Sequence, residues 1–335
     1  MKIVSWVIHR YILMGGSRSL GHDMCQFYRF RCLLFFGLLF FFCAGSSQAA
    51  PLRLALLPIP DVFPLYVAEV KGFFAAEHVE VTLLPVGSAV ERDQLMQAGQ
   101  IDGMVNDIAA TASLNRDKIR GKIIAIARAP VAGSPLFRIV AGKDAPIKNI
   151  DDLAGVPIAI SRNTVNEYLA GKMLSSLPEK SVLYQSVPVL PERLQLLMSG
   201  RIKAAVLPDP LGFAALADGA REITNDLSIV DYSASTITFA AAALTDKAAE
   251  VRAFMRAWDK ACAAINDNPE QFRPLFLEKI RVPKNIAAAY PIPQMPRRQL
   301  PSLRQWDDVM AWMVKTKLLD NPPGYENSVT DAFLP

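Results

Sequence analysis

Three aspartates and one arginine are the first candidates for chemistry: Asp61, Asp107, Asp209 and Arg162. Each lies in a short polar loop that follows an apolar run. Neighbouring loop residues are Pro60 and Phe63, Gly87 and Ser88, Asn106, and the stretch Ser161-Arg162-Asn163-Thr164. An acidic set of this kind suits a ligand rich in hydrogen-bond donors, such as an amine or aminopyrimidine, better than a small inorganic anion. Phe63 and Tyr168 could stack on a ring. Residues 161–164 precede a helical pattern, so their backbone N–H groups could bind an anion or a carbonyl. Plainer roles stay open beside these. Asp107, Asn163 or Thr164 could be helix caps, Asp209 between Pro208 and Pro210 could set a turn, and Tyr168 could be core. If the loops line a site, Asp61→Ala and Asp209→Ala are each expected to weaken binding without unfolding the protein.

Catalysis has little to work with. Of three histidines, His9 and His22 precede residue 50, and His78 stands at the entry to a strand, at the end opposite these loops. A single histidine argues against a multi-histidine metal site and against a histidine-based triad. There is no G-x-S-x-G, no Walker loop and no paired-cysteine zinc motif. Cys262 lies in the middle of a helical pattern. No catalytic residue, metal or cofactor is expected; the chain reads as one that holds something.

The elements that must position these loops are written twice. Residues 91–101 recur, without a gap, as 192–202. Each copy is a helix stopped by a glycine, Gly99 or Gly200, then a short apolar strand. A helix end of this type needs a residue in the left-handed region, where a side chain is penalised. A repeat of about 100 residues matches two similar lobes. Strands are expected at 52–57, 79–84, 103–105, 123–127, 137–141, 157–160, near 182, and at 204–207 and 236–244. Helices are expected from 64 to about 74, and at 90–98, 165–174, 248–265, 269–278 and 303–317. The fold class is therefore α/β, each lobe a doubly wound, mostly parallel sheet. Lobe one would take 51–136, lobe two 137–237, and 238–335 would return to lobe one as a mostly helical part. Two crossings, near 136 and near 237, make a hinge and a cleft, and strand carboxyl ends make the cleft a binding site. The proline-rich stretch 282–301 is expected to wrap over a surface.

Residues 1–49 read as a secretory signal peptide. The apolar run 33–42 follows Arg29 and Arg31 and precedes small residues, and it is shorter than the ~20 residues that span a bilayer. Ser47 and Ala49 suit a cleavage site before Ala50, and Met24 is a candidate translation start. Phe42 stands where lipid attachment at Cys43 would want a small residue. Of 36 basic and 32 acidic residues, five and one precede residue 50, leaving 31 of each. That balance gives no electrostatic case for nucleic acid or an anionic membrane. Only Cys262 of four cysteines lies beyond the leader, so no intramolecular disulfide is expected.

The stretches 65–74, 79–81 and 99–103, then 137–144, 150–155 and 157–161, resemble secreted ABC-transporter solute-binding proteins. The group is the one that binds thiamine-pyrimidine precursors, sulfonates, taurine and nitrate. This resemblance implies the two-lobed periplasmic-binding-protein type II fold, a monomer in the periplasm, and a small organic solute, aminopyrimidine-like or sulfonate-like. It also implies an ABC permease and its ATPase as partners. The sequence departs from the group at Lys203, a place usually acidic, and at 161–164, usually a small Gly/Ser-rich loop. Enzymes of pyrimidine or menaquinone precursor synthesis share the fold, and a periplasmic sensor module is a further alternative.

Overall fold

Runs of aliphatic and β-branched residues form strands, and most are followed by a helix that covers the sheet. In a computed structural model residues 50–335 are described; the expected leader, with Met24 and Cys43, lies outside the described residues. The first half comprises β1 (Leu52–Leu56), α1 (Phe63–Val70), α2 (Phe73–Ala76), β2 (Val81–Pro85), α3 (Ala89–Gln97), β3 (Gly103–Asn106), α4 (Ile108–Leu114) and β4 (Gly121–Arg128). The alternation restarts with β5 (Phe137–Ala141), β6 (Pro157–Ile160), α5 (Val165–Met173), β7 (Leu183–Ser186), α6 (Leu190–Met198), β8 (Ala204–Pro208), α7 (Leu211–Ala217) and β9 (Arg221–Asn225). After β10 (Ser235–Ala240) come α8 (Ala241–Asp246), α9 (Ala248–Asp267), α10 (Arg273–Lys279), α11 (Leu303–Lys315) and α12 (Tyr325–Ser328).

The strands make two five-stranded sheets of one topology, β2-β1-β3-β10-β4 and β7-β6-β8-β5-β9. Each has a single antiparallel strand: β10 runs against β3 and β4, and β5 against β8 and β9. In both lobes this strand is the first one after a crossing. The first crossing lies between β4 and β5. The return lies at 226–234, earlier than the expected 237: Ile237 is mid-strand in the first sheet, opposite Val105 and Ala125. Thr236, Ile237 and Thr238 suit a strand buried on both faces, and nothing in their types says which sheet receives them. The strand also ends at Ala240, not 244, because the alanines after Phe239 favour helix and open α8. Strand β9 was not expected, since Arg221-Glu222-Ile223-Thr224-Asn225 offers one aliphatic residue and runs along a sheet edge.

Two cores result. One joins Leu52, Leu54 and Leu56 of β1 to α1 and to Phe254 and Trp258 of α9. The other joins Ile139, Ile158, Ile160 and Val206 of lobe two to Ile108 and Ala112 of lobe one through Trp306, Met310 and Met313 of α11. The C-terminal part therefore serves both lobes rather than lobe one alone. Tyr168 Oη donates to Asp308 at 2.7 Å, and Lys172 Nζ donates to the same carboxylate at 2.6 Å. Trp306 is fully buried, a burial worth about 2–3 kcal/mol.

The proline-rich segment wraps the first lobe as expected. Arg281 N donates to Pro58 O, Ile126 N donates to Gln299 O, and Arg297 and Arg298 both clasp Asp259. Midway, Tyr290 turns inward and stacks on Phe276. Among the described residues no helix is long and apolar enough to cross a membrane.

Candidate functional site

The internal repeat is visible in atomic detail. Gly99 and Gly200 end α3 and α6 with φ of 67° and 71°, the left-handed conformation that favours glycine. Each helix then directs an arginine under its sheet. Arg92 Nη1 donates to Val105 O at 3.0 Å, and Arg193 Nη1 donates to Val206 O at 2.7 Å. The second copy is more elaborate. Arg193 is fully buried and also donates to Val187 O, Asn166 Oδ1 and Ser161 Oγ. All these acceptors are neutral, and burial pulls its pKa down to about 10.

Between the lobes, at the carboxyl ends of β1, β4 and β8, lies a buried ion network. Asp61, in the turn after β1, faces Arg128 at the end of β4, with Nη1 to Oδ1 3.4 Å. The Nη2 of Arg128 donates to Ser134 Oγ and Pro135 O in the first crossing. On lobe two, Arg138 of β5 grips Asp209 through two bonds, Nε to Oδ1 at 2.7 Å and Nη2 to Oδ2 at 2.9 Å, and also pairs with Glu222. Burial alone would lower the Arg128 pKa, but Tyr290, Asp61 and Asp209 together hold it above its ordinary value. Arg128 thus ties the Asp61 loop to the first crossing, and Asp209 is near enough for its charge to be felt there. Buried Asp226 joins the two crossings, accepting from Leu136 N at 3.0 Å and from Ser233 Oγ at 2.6 Å. Burial pushes its carboxyl up, and these donors hold it back.

Lobe two also touches elements of lobe one directly. Phe213 of α7 meets the Tyr290 ring edge-on at 5.3 Å, and Asn285 Nδ2 donates to Asp218 at 2.9 Å. Phe276 links Tyr290 to Phe63, so four rings run from α1 to α7.

Of the residues marked by sequence, Asp61 is held by Arg128 and Asp209 by Arg138. Phe63 is buried against Phe276 and belongs to the core. Ser88 caps α3 by accepting from Glu91 N, and Gly87 N donates to the Glu91 carboxylate. Asn106 is buried, accepting from the hydroxyls of Thr236 and Thr238 and so locking β3 to β10. Asp107 caps α4 through Ala110 N, and burial raises its pKa. Thr164 caps α5 and donates to Ser161 O, while Asn163 N donates to Glu167 at φ 60°. Arg162 is exposed, pairs with Glu167 at 3.3 Å and lies over the Tyr184 ring. Ser161 accepts from Arg193 at 2.5 Å. Residues 161–164 thus form a second cluster around Arg193 and Glu167, and Tyr168 is core.

Sequence reasoning missed Arg128, Arg138, Arg193 and Tyr290. The arginines carried a usable signal, a charge inside an apolar strand or on the buried face of a repeat helix, which must be paired to be tolerated. Tyr290 carried none. Among the described residues no group of three or more His, Cys, Asp or Glu is placed to hold a metal ion. Cys262 is buried in α9, and burial pushes its thiol pKa well up.

Two sheets of like topology, exchanging one strand each across a double crossing, define the periplasmic-binding-protein fold. A model of the NMT1/THI5-like family matches residues 59–272, more than half of the chain, and the chain belongs to that family. No curated protein matches it by sequence. It is similar in structure to the periplasmic aliphatic sulphonate-binding protein SsuA from Escherichia coli (TM-score 0.71, 14% identity, 82% of this chain and 96% of that one). It is also similar to the alkanesulfonate-binding protein SsuA from Xanthomonas axonopodis pv. citri bound to MOPS (TM-score 0.70, 14% identity, 85% and 99%). A third similar structure is the desulfurization enzyme DszB (TM-score 0.62, 15% identity, 84% and 97%).

Proposed function

We propose that this chain is the solute-binding component of an ABC importer. It captures a small organic solute between its lobes in the periplasm and delivers it, as a monomer, to a membrane permease driven by an ATPase. The observations that carry this reading are the contacts between opposite lobes, Phe213 on Tyr290 and Asn285 with Asp218, beside the buried Asp61–Arg128 and Asp209–Arg138 pairs. Contacts of that kind change when lobes part or close, and only a ligand with different affinity for the two states can bias them. The Phe213–Tyr290 and Asn285–Asp218 contacts are the ones that parting would break. Neighbours described as sulfonate-binding proteins support the reading, with sulfonate-like and aminopyrimidine-like solutes as the classes to test.

A thermal-shift screen against sulfonates, aminopyrimidines, amides, amino acids, nitrate and bicarbonate tests it. A solute at 100 times its Kd should stabilise the protein by about 2.7 kcal/mol, and it should be recovered unchanged by mass spectrometry. DszB keeps an enzymatic reading in view, and that reading predicts a changed mass. A blank across the whole panel, with no solute released from the denatured protein, would sink the solute-binding reading.

A further inference from the structure

Folded proteins leave few buried polar atoms without a hydrogen bond, and each exception asks for a reason. Among the described residues the exceptions on side chains are Arg128 Nε, Ser235 Oγ and Tyr290 Oη. They are not scattered. Ser235 is the cross-strand partner of Arg128 in the β10–β4 pair, and directly paired residues project to the same face. Tyr290 lies against the same guanidinium: burial pushes its phenol up to about 12, opposed by the charge of Arg128 and by a weak hydrogen bond from it that leaves the phenol O–H without an acceptor. Three groups able to donate, drawn from three separate segments, thus gather at the guanidinium that pairs with Asp61.

Resting on the solute-binding reading above, we infer that Arg128 Nε, Ser235 Oγ and Tyr290 Oη form the subsite for an uncharged acceptor oxygen of the solute, such as an amide or ring carbonyl. Arg128 Nε can only donate, and the Ser235 and Tyr290 hydroxyls can donate with it, a set that suits an acceptor oxygen. The surrounding charge selects an uncharged one. Arg128 and Arg138 are the two cations of the network, and Asp61, Asp209, Glu222 and Asp226 stand around them. Arg128 is engaged by Asp61, and Arg138 by Asp209 and Glu222, so the carboxylates outnumber the cations. A sulfonate or carboxylate placed here would meet like charge at low dielectric; a carbonyl would not. Arg128 and Tyr290 are 1% exposed, so the solute enters by parting of the lobes and leaves the site enclosed.

The test uses matched pairs that share a body and differ in charge: benzamide against benzenesulfonate, and acetamide against methanesulfonate. They are titrated by thermal shift into the protein and into a Tyr290→Phe, Ser235→Ala double variant, whose rings keep their packing. Benzamide or acetamide should raise the wild-type Tm with dose, the sulfonates should not, and the double variant should lose about tenfold or more in apparent Kd. Without ligand the double variant should melt at or above the wild-type temperature, because an unpartnered buried hydroxyl is a cost that its removal relieves. A ligand-free Tm several degrees lower would show that the hydroxyls are structural, and overturn the assignment. Amide binding undiminished in the double variant would overturn it equally. Shifts by the sulfonates alone would leave solute binding standing and refute the uncharged acceptor. No shift by either pair also counts against the subsite, while the wider solute screen judges the binding role separately.

Discussion

Arg193 reaches from the buried face of α6 to the carbonyl oxygen of Val206, 2.7 Å away, and finds there a strand that its own helix has just fed. The relationship recurs 101 residues earlier, where Arg92 reaches Val105. A guanidinium used twice in this way ties helix to strand within each lobe, but the second is tied more heavily. Arg193 makes bonds to Val187, Asn166 and Ser161 as well, whereas Arg92, among the described residues, adds to its bond with Val105 only a pair with the part-exposed Asp93.

The two arginines should therefore differ in their cost of removal. Arg193→Met leaves up to four buried acceptors short of a donor, at about 1–3 kcal/mol for a group left unsatisfied. Incomplete relaxation bounds the total at about 3–5 kcal/mol. Arg92→Met should cost about 1–2 kcal/mol. Urea denaturation of both variants measures this directly. Equal losses would mean that the extra bonds of Arg193 carry no net stability.

Asp209 has a different role from the one its loop suggests. It was expected to tolerate truncation with loss of binding alone, yet it is buried and holds Arg138 through two bonds. Asp209→Ala leaves Arg138 with Glu222 as its remaining carboxylate. The expected result is destabilisation by about 3 kcal/mol or more, seen as a lowered urea midpoint in ligand-free protein. Asp61→Ala should cost less, because its contact with Arg128 is longer, 3.4 Å, and single. An Asp209→Ala protein of wild-type stability would return the carboxylate to the solute.

What the sequence could and could not disclose follows from these cases. The repeat, its two glycines and the strand–helix alternation were legible because each is a local pattern, fixed by periodicity and by the backbone freedom of one residue. Helix caps were legible too: Asp107 and Thr164 have the cap role that their types allow. The ion network was not. Arg128 and Arg138 are close in sequence, but their partners lie 67 and 71 residues away, and no local rule pairs them. Tyr290 is more distant still, in a segment whose prolines announce extension and nothing about where it turns inward. The return crossing was misplaced for a related reason. The residues at 235–240 fit a buried strand in either sheet, and only tertiary pairing decides.

Gly212 shows how closely the network is packed. A Cβ added there would lie 2.9 Å from both Arg138 Cδ and Asp209 Oδ1, and 3.2 Å from Leu207 O. One neighbour is backbone and the others are held by the ion pair, so none can move cheaply. Gly212→Ala should destabilise by about 1–3 kcal/mol through overpacking, although alanine favours the helix by nearly 1 kcal/mol. Gly171→Ala, where the nearest atom is Tyr184 Oη at 3.9 Å, is the control and should be neutral or stabilising. A paired comparison of melting temperatures checks the sign at both positions.

The wrap of the proline-rich segment should be released by acid. Asp259 of α9 accepts from Arg297 at 2.9 and 2.6 Å and from Arg298 at 2.9 Å. Burial alone would raise its pKa, but the hydrogen bonds of Arg297 and then Arg298 outweigh it, so the carboxyl titrates below its usual value. Arg298 holds a φ of 54°, a left-handed backbone that costs about 1–2 kcal/mol and that this clasp helps to maintain. A carboxylate with a depressed folded pKa contributes its stability above the unfolded value, about 3.9, and loses it as pH falls through the folded value. Both arginines are largely exposed, so solvent limits the contribution to about 1 kcal/mol. Hydrogen exchange at Ile126 N–H, which is bonded to Gln299 O, reports the wrap. Its protection should hold from pH 7 to 5 and fall below about 4 faster than that of core amides in β1. In Asp259→Asn the protection should be lower at neutral pH and nearly flat with acid. If the variant keeps the wild-type acid dependence, another carboxylate anchors the segment.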